Sequence, residues 1–215
     1  MPPRWGGVAE PMTVITNVVL AGVAFVLGVR LAYPAAAEGV ASASFLALGF
    51  FATAMSAAFG AAAHGLDPRT DAAQRERCWR AALFAMGVIG AACIASVAFF
   101  TTRGPIRSAI LVIAGLKLVA YFVSVSRRPQ FRVAVADHGG ALAVLLAGSV
   151  YAYVRWRAPA APWLIAGVFV SVVAGVVQAR RVVAHRHFNH NDLYHVAEMV
   201  ALYLCYRGGA LLVDR

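Results

Sequence analysis

At 215 residues the chain is long enough for one domain, but its composition excludes a soluble core: 61% of residues are hydrophobic, 13% are charged, and the mean hydropathy is +0.74. Runs of about 20 nearly uncharged residues recur along it, so the predicted class is an all-α polytopic membrane protein. The net charge of +10 comes mainly from arginines in short segments between apolar runs, where they set topology and meet anionic headgroups, so it is not read as nucleic-acid binding.

The runs predict a single domain of seven spans, at roughly 12–32, 41–63, 81–101, 106–125, 133–154, 162–183 and 191–211. Span 1 opens on Glu10-Pro11, a helix-start pattern with proline in the first turn and a carboxylate at the positive end of the dipole. Thr13, Thr16 and Asn17 follow inside the first two turns, for interhelical hydrogen bonding or for ion binding. Ala35-Ala36-Ala37 would pass as a signal cleavage site, but the sparse positive start and long apolar run favour a retained helix.

Breakers and charges mark the connectors: Tyr33-Pro34, Gly65-Leu66-Asp67-Pro68, Arg103-Gly104-Pro105, Arg127-Arg128-Pro129 and Ala158 to Pro162. The cysteines Cys78, Cys93 and Cys205 lack CxxC spacing, which argues against a disulfide framework or a thiolate zinc site. Lys117, the single lysine, lies near the middle of span 4, where it neutralises a carboxylate of the bundle or snorkels. Tyr121, one turn on, reads as packing, and a retinal-type Schiff base is disfavoured because the last span has no lysine.

Seven spans put the termini on opposite sides. The N-terminal side carries Arg4, Arg69, Arg75, Arg77, Arg80, Arg127, Arg128, Arg132, Arg180, Arg181 and Arg186; the other carries Arg30, Arg103, Arg107, Arg155, Arg157, Arg207 and Arg215. The positive-inside rule then predicts a cytoplasmic N-terminus, in a bacterial inner membrane. All six histidines fall on that same side: His64 at the end of span 2, His138 beside Asp137 at the start of span 5, and His185, His187, His190 and His195 before and within span 7.

Imidazoles and a carboxylate at the mouth of an apolar helix are costly unless something binds them, so they raise a metal-site question. His187, Asn191 and His195 share a helical face, with Glu198 about one turn beyond. His185 and His187 read as interfacial charges beside Arg180, Arg181 and Arg186. Imidazole and carboxylate donors suit zinc, iron or manganese. A catalytic zinc needs three protein ligands and an open water position; the best set is His64, His190 and His195, with Ser56, Asp137 or Asp192 to hold or deprotonate the water. Glu10, Asn17, His138, Asn191 and Glu198 are secondary candidates, metal-binding or structural. His64 reads equally as a cap at the water boundary, and Asp137 equally as an ion-pair partner of a neighbouring arginine.

These residues resemble the superfamily of alkaline ceramidases and progestin/adipoQ receptors. Val8-Ala9-Glu10 through Thr16-Asn17 is similar to the helix-1 stretch of the ceramidases, whose Glu helps to bind calcium, which would implicate Glu10. Ser56 to Gly60 looks like their helix-2 Ser-x-x-x-His with the His replaced by Gly, and His64 would substitute. Asn191 to His195 looks like their helix-7 His-x-x-x-His with Asn in the first place, and His190 would substitute. Their helix-3 Asp has no counterpart in span 3; Asp137-His138-Gly139-Gly140 offers one from span 5. The His190 to His195 string and Tyr206-Arg207-Gly208-Gly209 also look like a group of bacterial seven-helix proteins.

The resemblance implies a zinc-dependent hydrolase of a lipid amide or ester at the cytoplasmic headgroup level, with membrane lipids as its partners. The alternatives are a non-catalytic metal-binding sensor or receptor of the same fold and, ranked below it, a transporter. Histidines at one edge rather than deep on facing helices argue against bis-histidine haem.

Overall fold

A computed structural model describes residues 8, 10–67, 71–183, 185 and 188–215. Seven helices occupy them: α1 (Pro11–Glu38), α2 (Ala41–Gly65), α3 (Ala72–Thr101), α4 (Gly104–Arg127), α5 (Phe131–Trp156), α6 (Ala161–Ala179) and α7 (His190–Gly209). The first six are long and apolar enough to cross a bilayer, and the chain is an integral membrane protein. α7 is long enough at 20 residues, but Asp192, His195, Glu198 and Arg207 dilute its apolar character.

Several edges differ from the sequence-based spans for identifiable reasons. α1 does not stop at Tyr33-Pro34; it runs through Pro34 to Glu38 and ends on Gly39, whose left-handed φ of 69° lets its N–H reach the Ala35 carbonyl. α3 begins at Ala72, well before its apolar run, because the Arg75 to Arg80 stretch stays helical outside the bilayer, with an i,i+4 pair between Glu76 and Arg80 at 2.7 Å. α6 ends at Ala179 rather than 183, and Arg181 turns the chain with a left-handed φ of 51°. Arg4, Ala9, Pro68, Arg69, Arg186 and His187 lie outside the described residues.

The packing order is a ring: α1 lies against α2, α2 against α3, α3 against α5, α5 against α6, α6 against α7, and α7 against α1. α4 stands outside it, packed on α3. Small residues set these approaches, as expected where lipid supplies no hydrophobic drive between helices. Thus a side chain at Gly148 of α5 would strike Val97 of α3, and one at Gly167 of α6 would strike the Cys205 sulfur of α7.

The ring is packed solid at the end where the chain leaves α7. Leu31, Leu46, Phe50, Phe100, Leu164 and Leu212 belong to one buried cluster there. The last residues clasp this end: the Asp214 carboxylate accepts from the N–H groups of Ala41 and Ser42 at 2.7 and 2.9 Å, capping α2. Arg215 donates its backbone N–H to the Phe99 carbonyl, lays its guanidinium over Trp156 and takes a bond from Arg107 on its own carbonyl.

Lys117 crosses from α4 to Asp137 of α5, with Nζ 2.8 and 2.9 Å from the two carboxylate oxygens. The pair lies over Gly90 of α3, where a Cβ would come within 2.6 Å of Asp137 and 2.7 Å of Lys117. Tyr121, one turn further along α4, packs on Leu83 and donates its hydroxyl to the Leu83 carbonyl at 2.7 Å. Away from water a lone charge is far costlier than a neutral pair. Lys117→Met or Asp137→Leu alone is therefore expected to cost roughly 3 kcal/mol, and the double variant to recover most of that loss. Thermal unfolding of the four proteins in one detergent tests this; additive losses would mean that the pair is not coupled.

Candidate functional site

The end opposite the clasp is hollow and polar. Its anchor is the start of α7, where Asn189 caps the helix: its side chain accepts from the Asn191 N–H at 2.7 Å, while the Asp192 carboxylate accepts from the Asn189 N–H at 2.8 Å. Asp192 is completely buried, and its other oxygen lies 3.2 Å from the hydroxyl of Thr16 on α1. That hydroxyl in turn lies 2.9 Å from Nδ1 of His195.

The direction of this chain follows from its acceptors. The Thr16 hydroxyl has one proton and two oxygen acceptors at 3.2 Å, the Asp192 carboxylate and the Thr13 carbonyl, and either draws that proton away from His195. Thr16 then accepts from His195, which fixes the imidazole proton on Nδ1 and leaves Nε2 with its lone pair. His195 is 8% exposed and lines a cavity, so Nε2 is the ring atom left for whatever occupies that cavity.

A second imidazole is held in the same manner. His64, at the end of α2, donates Nδ1–H to Glu10 just before α1, at 3.1 Å. This hydrogen bond holds the Glu10 carboxyl below its ordinary 4.5; burial opposes the shift, and the charges of His64, Arg75 and His190 assist it.

The cavity inside the ring measures about 890 Å³ and is walled by every helix except α4. His64, His190, Asn191 and His195 stand toward its polar end, with Asn17, Ser56, His138 and Glu198 also on its walls. Its depth is apolar, with Leu46, Phe50, Leu145 and Leu202. Most of the polar lining is already engaged. Asn17 bonds the Thr13 carbonyl and fills the space beside Gly60, where a Cβ would meet its oxygen at 3.1 Å. Ser56 donates to the Ala82 carbonyl at 3.1 Å, and Asn191 accepts from Gln178 at 3.3 Å. His138 keeps a buried Nδ1 with no hydrogen-bond partner.

Asp137 and Asp192 are absent from the cavity wall, the first turned to Lys117 and the second to the start of α7. Glu198 is the carboxylate that faces it; Ser171 of α6 donates to it at 2.8 Å, and among the described residues no cation pairs with it. His185 makes an isolated bridge with Phe188 and is exposed. The sequence offers Thr16 for interhelical hydrogen bonding or ion binding, of which the structure shows the hydrogen bonding, and it gives Ser171 no role. The available signal was a lone hydroxyl on an otherwise apolar helical face.

For zinc, the donor chemistry is right in part. Two imidazoles have their Nδ1 atoms tied to oxygen partners, as metal-ligating histidines do. Among the described residues no three His, Cys, Asp or Glu side chains come together as a ligand set; His64, His190 and His195 line one cavity.

The chain matches the family of unknown function DUF6962 over residues 12–214 and belongs to it. No curated protein and no solved structure matches it.

Two outcomes are expected of these contacts. In ¹⁵N-histidine spectra, His195 carries its proton on Nδ1; Thr16→Val abolishes that preference and Thr16→Ser keeps it, whereas an Nε2–H form in the unaltered protein would contradict the assignment. Because the Glu10 pKa is depressed in the folded state, its contribution is complete above 4.5 and is lost as pH falls through the lower folded value. The stability gap between the unaltered protein and Glu10→Gln should therefore shrink in acid, as read by thermal unfolding from pH 7 to 3; a gap that widens there would be the wrong sign.

Proposed function

We propose that this integral membrane protein is a receptor-like binding protein for an amphiphile drawn from the bilayer. The chain of the ligand occupies the apolar depth of the cavity, and its polar linkage lies among His64, His190, Asn191 and His195. The observation that carries this reading is the cavity itself: about 890 Å³, within the size of ligand sites, apolar in its depth and histidine-rich at one end. The arginine bias along the sequence supports a mouth that opens on the cytoplasmic side of a bacterial inner membrane.

A specific observation also favours a second reading, the zinc-dependent hydrolase of a lipid amide or ester that the ceramidase resemblance implies. The Nδ1 atoms of His64 and His195 are both held by oxygen partners, which leaves both Nε2 atoms as ligands or bases. Glu10, the residue that the resemblance links to calcium, is spent on His64. Transport has less support, because the Lys117–Asp137 pair is internally neutral and off the cavity wall.

Binding is tested with a chain-labelled fluorescent fatty-acyl probe and the protein in nanodiscs. Saturable binding at one site is expected, and Leu142→Trp, which fills the chain end of the cavity, should weaken it about ten-fold, or roughly 1.4 kcal/mol. Failure of every chain-bearing probe to bind would sink the amphiphile reading. The hydrolase reading stands or falls separately on metal analysis: it requires stoichiometric zinc that is lost in His195→Ala, and a metal-free protein would remove it.

A further inference from the structure

The cavity wall is not equally closed all round. On α1, α2, α3 and α7 no residue that lines the cavity is exposed. On α5 the lining residues Arg132, Val135, Ala136 and Gly139 are exposed, at the spacing of a single helical face. On α6 the same holds for Val172 and Ala179, and for Arg181 just beyond the helix. A residue faces the interior and the outside together where the wall has a gap. Ala152, Ala158, Ala160 and Leu164 are buried together where α5 meets α6 at the clasped end, and the exposed lining residues lie toward the other end, so the gap lies at the polar end.

Two glycines mark its sides. Gly139 of α5 and Gly175 of α6 both line the cavity, and a Cβ at either would meet no atom within 4 Å. The gap is therefore wide enough at both positions to take added atoms. At its outer end stand two guanidinium groups. Arg132 donates Nε to Gln130 at 2.6 Å, and neither Arg132 nor Arg181 forms an ion pair among the described residues. Glu198, the one carboxylate on the cavity wall among the described residues, lies eight residues along α7 from His190, or about 12 Å deeper at a rise of 1.5 Å per residue. The rim is thus cationic and the depth is not.

We propose that the gap between α5 and α6 is a lateral portal to the bilayer, and that the amphiphile it admits has an anionic head, a phosphate or a carboxylate, held by Arg132 and Arg181 while the chain passes between Gly139 and Gly175. This rests on the amphiphile reading above and adds the class of head and the route. Guanidinium forks suit both heads, since each offers paired oxygens to parallel N–H donors. The lateral route suits a ligand whose chain never leaves the apolar phase.

The test uses fluorescent twelve-carbon amphiphiles that differ only in head: phosphate, carboxylate, trimethylammonium and maltoside. The protein is held in nanodiscs of zwitterionic lipid, with protein-free nanodiscs subtracted. The phosphate and carboxylate forms are expected to bind at least about ten-fold tighter than the maltoside, and their ratio separates a lipid phosphate from a free fatty acid as the source. Arg132→Gln with Arg181→Gln should bring the anionic forms down to the maltoside level and leave the maltoside itself unchanged; Arg155→Gln, an exposed arginine at the clasped end, should change neither. Gly175→Trp, with Gly139→Trp as the independent variant, should slow association and dissociation together. Equal affinity for all four heads would overturn the proposal while leaving the cavity reading intact. So would a head preference that survives the double variant, or exchange rates that neither tryptophan alters. Failure of all four amphiphiles to bind would overturn both.

Discussion

The polar end of this bundle hangs on one carboxylate. Asp192 is fully buried at the first turn of α7, accepting from the Asn189 N–H that opens the helix and from the Thr16 hydroxyl on α1. A buried carboxylate without donors would be untenable in a membrane protein, and here the helix start supplies both a donor and the favourable end of a dipole. The same carboxylate fixes the register of α7 against α1, because Thr16 must meet it. It also orders the imidazole one turn on: once Thr16 gives its proton to Asp192, His195 has to give its own to Thr16. One side chain thus sets a helix boundary, an interhelical contact and a tautomer.

The two ends of the ring divide the work of holding it together. At the clasped end, apolar packing fills the centre and the Asp214 carboxylate satisfies the first N–H groups of α2, which have no partner within the helix. At the other end the centre is hollow, and hydrogen bonds replace packing: Glu10 to His64 joins α1 and α2, Thr16 to Asp192 joins α1 and α7, Ser56 to Ala82 joins α2 and α3, and Ser171 to Glu198 joins α6 and α7. No such bond joins α5 to α6 among the described residues, and that seam is where the wall is exposed on both sides. α4 adds its lysine to Asp137 and its tyrosine to Leu83, then presents Val112, Ile113, Leu116 and Val119 outward. It supports the ring without lining the cavity.

The seven helices were legible because each buries or exposes a long apolar run, and that signal needs no partner. The helix ends were less so. Hydropathy marks where a helix meets the water boundary, not where its hydrogen bonding stops, so the charged first turns of α3 and the stretch past Pro34 of α1 read as connectors. The histidines of the site were legible for the same reason that they stood out: His64, His190 and His195 sit at the edges of apolar runs, and the fold brings those edges to one end of the ring. What the sequence withholds is pairing. Nothing along the chain says that Lys117 meets Asp137, that Glu10 is taken by His64, or that Asp192 turns to Thr16, because each partner sits on another helix and its register is set by packing. Arg132 and Arg181 read as ordinary headgroup contacts until the gap between their helices is seen.

That pairing narrows the chemistry the cavity can support. Three residues of the sequence-based set would hold or deprotonate a water: Ser56, Asp137 and Asp192. The hydroxyl proton of Ser56 is committed to the Ala82 carbonyl, Asp137 is neutralised by Lys117 off the cavity wall, and Asp192 is consumed by the start of α7. Groups left facing the cavity with unspent capacity include His64 and His195 through Nε2, His138 through Nδ1, and Glu198 through the oxygen that Ser171 does not occupy. His195 and Glu198 stand three residues apart on α7, close to one turn, and so look onto the cavity from nearly the same side. His195 reaches the cavity with its other nitrogen held by Thr16 and, through Thr16, by Asp192.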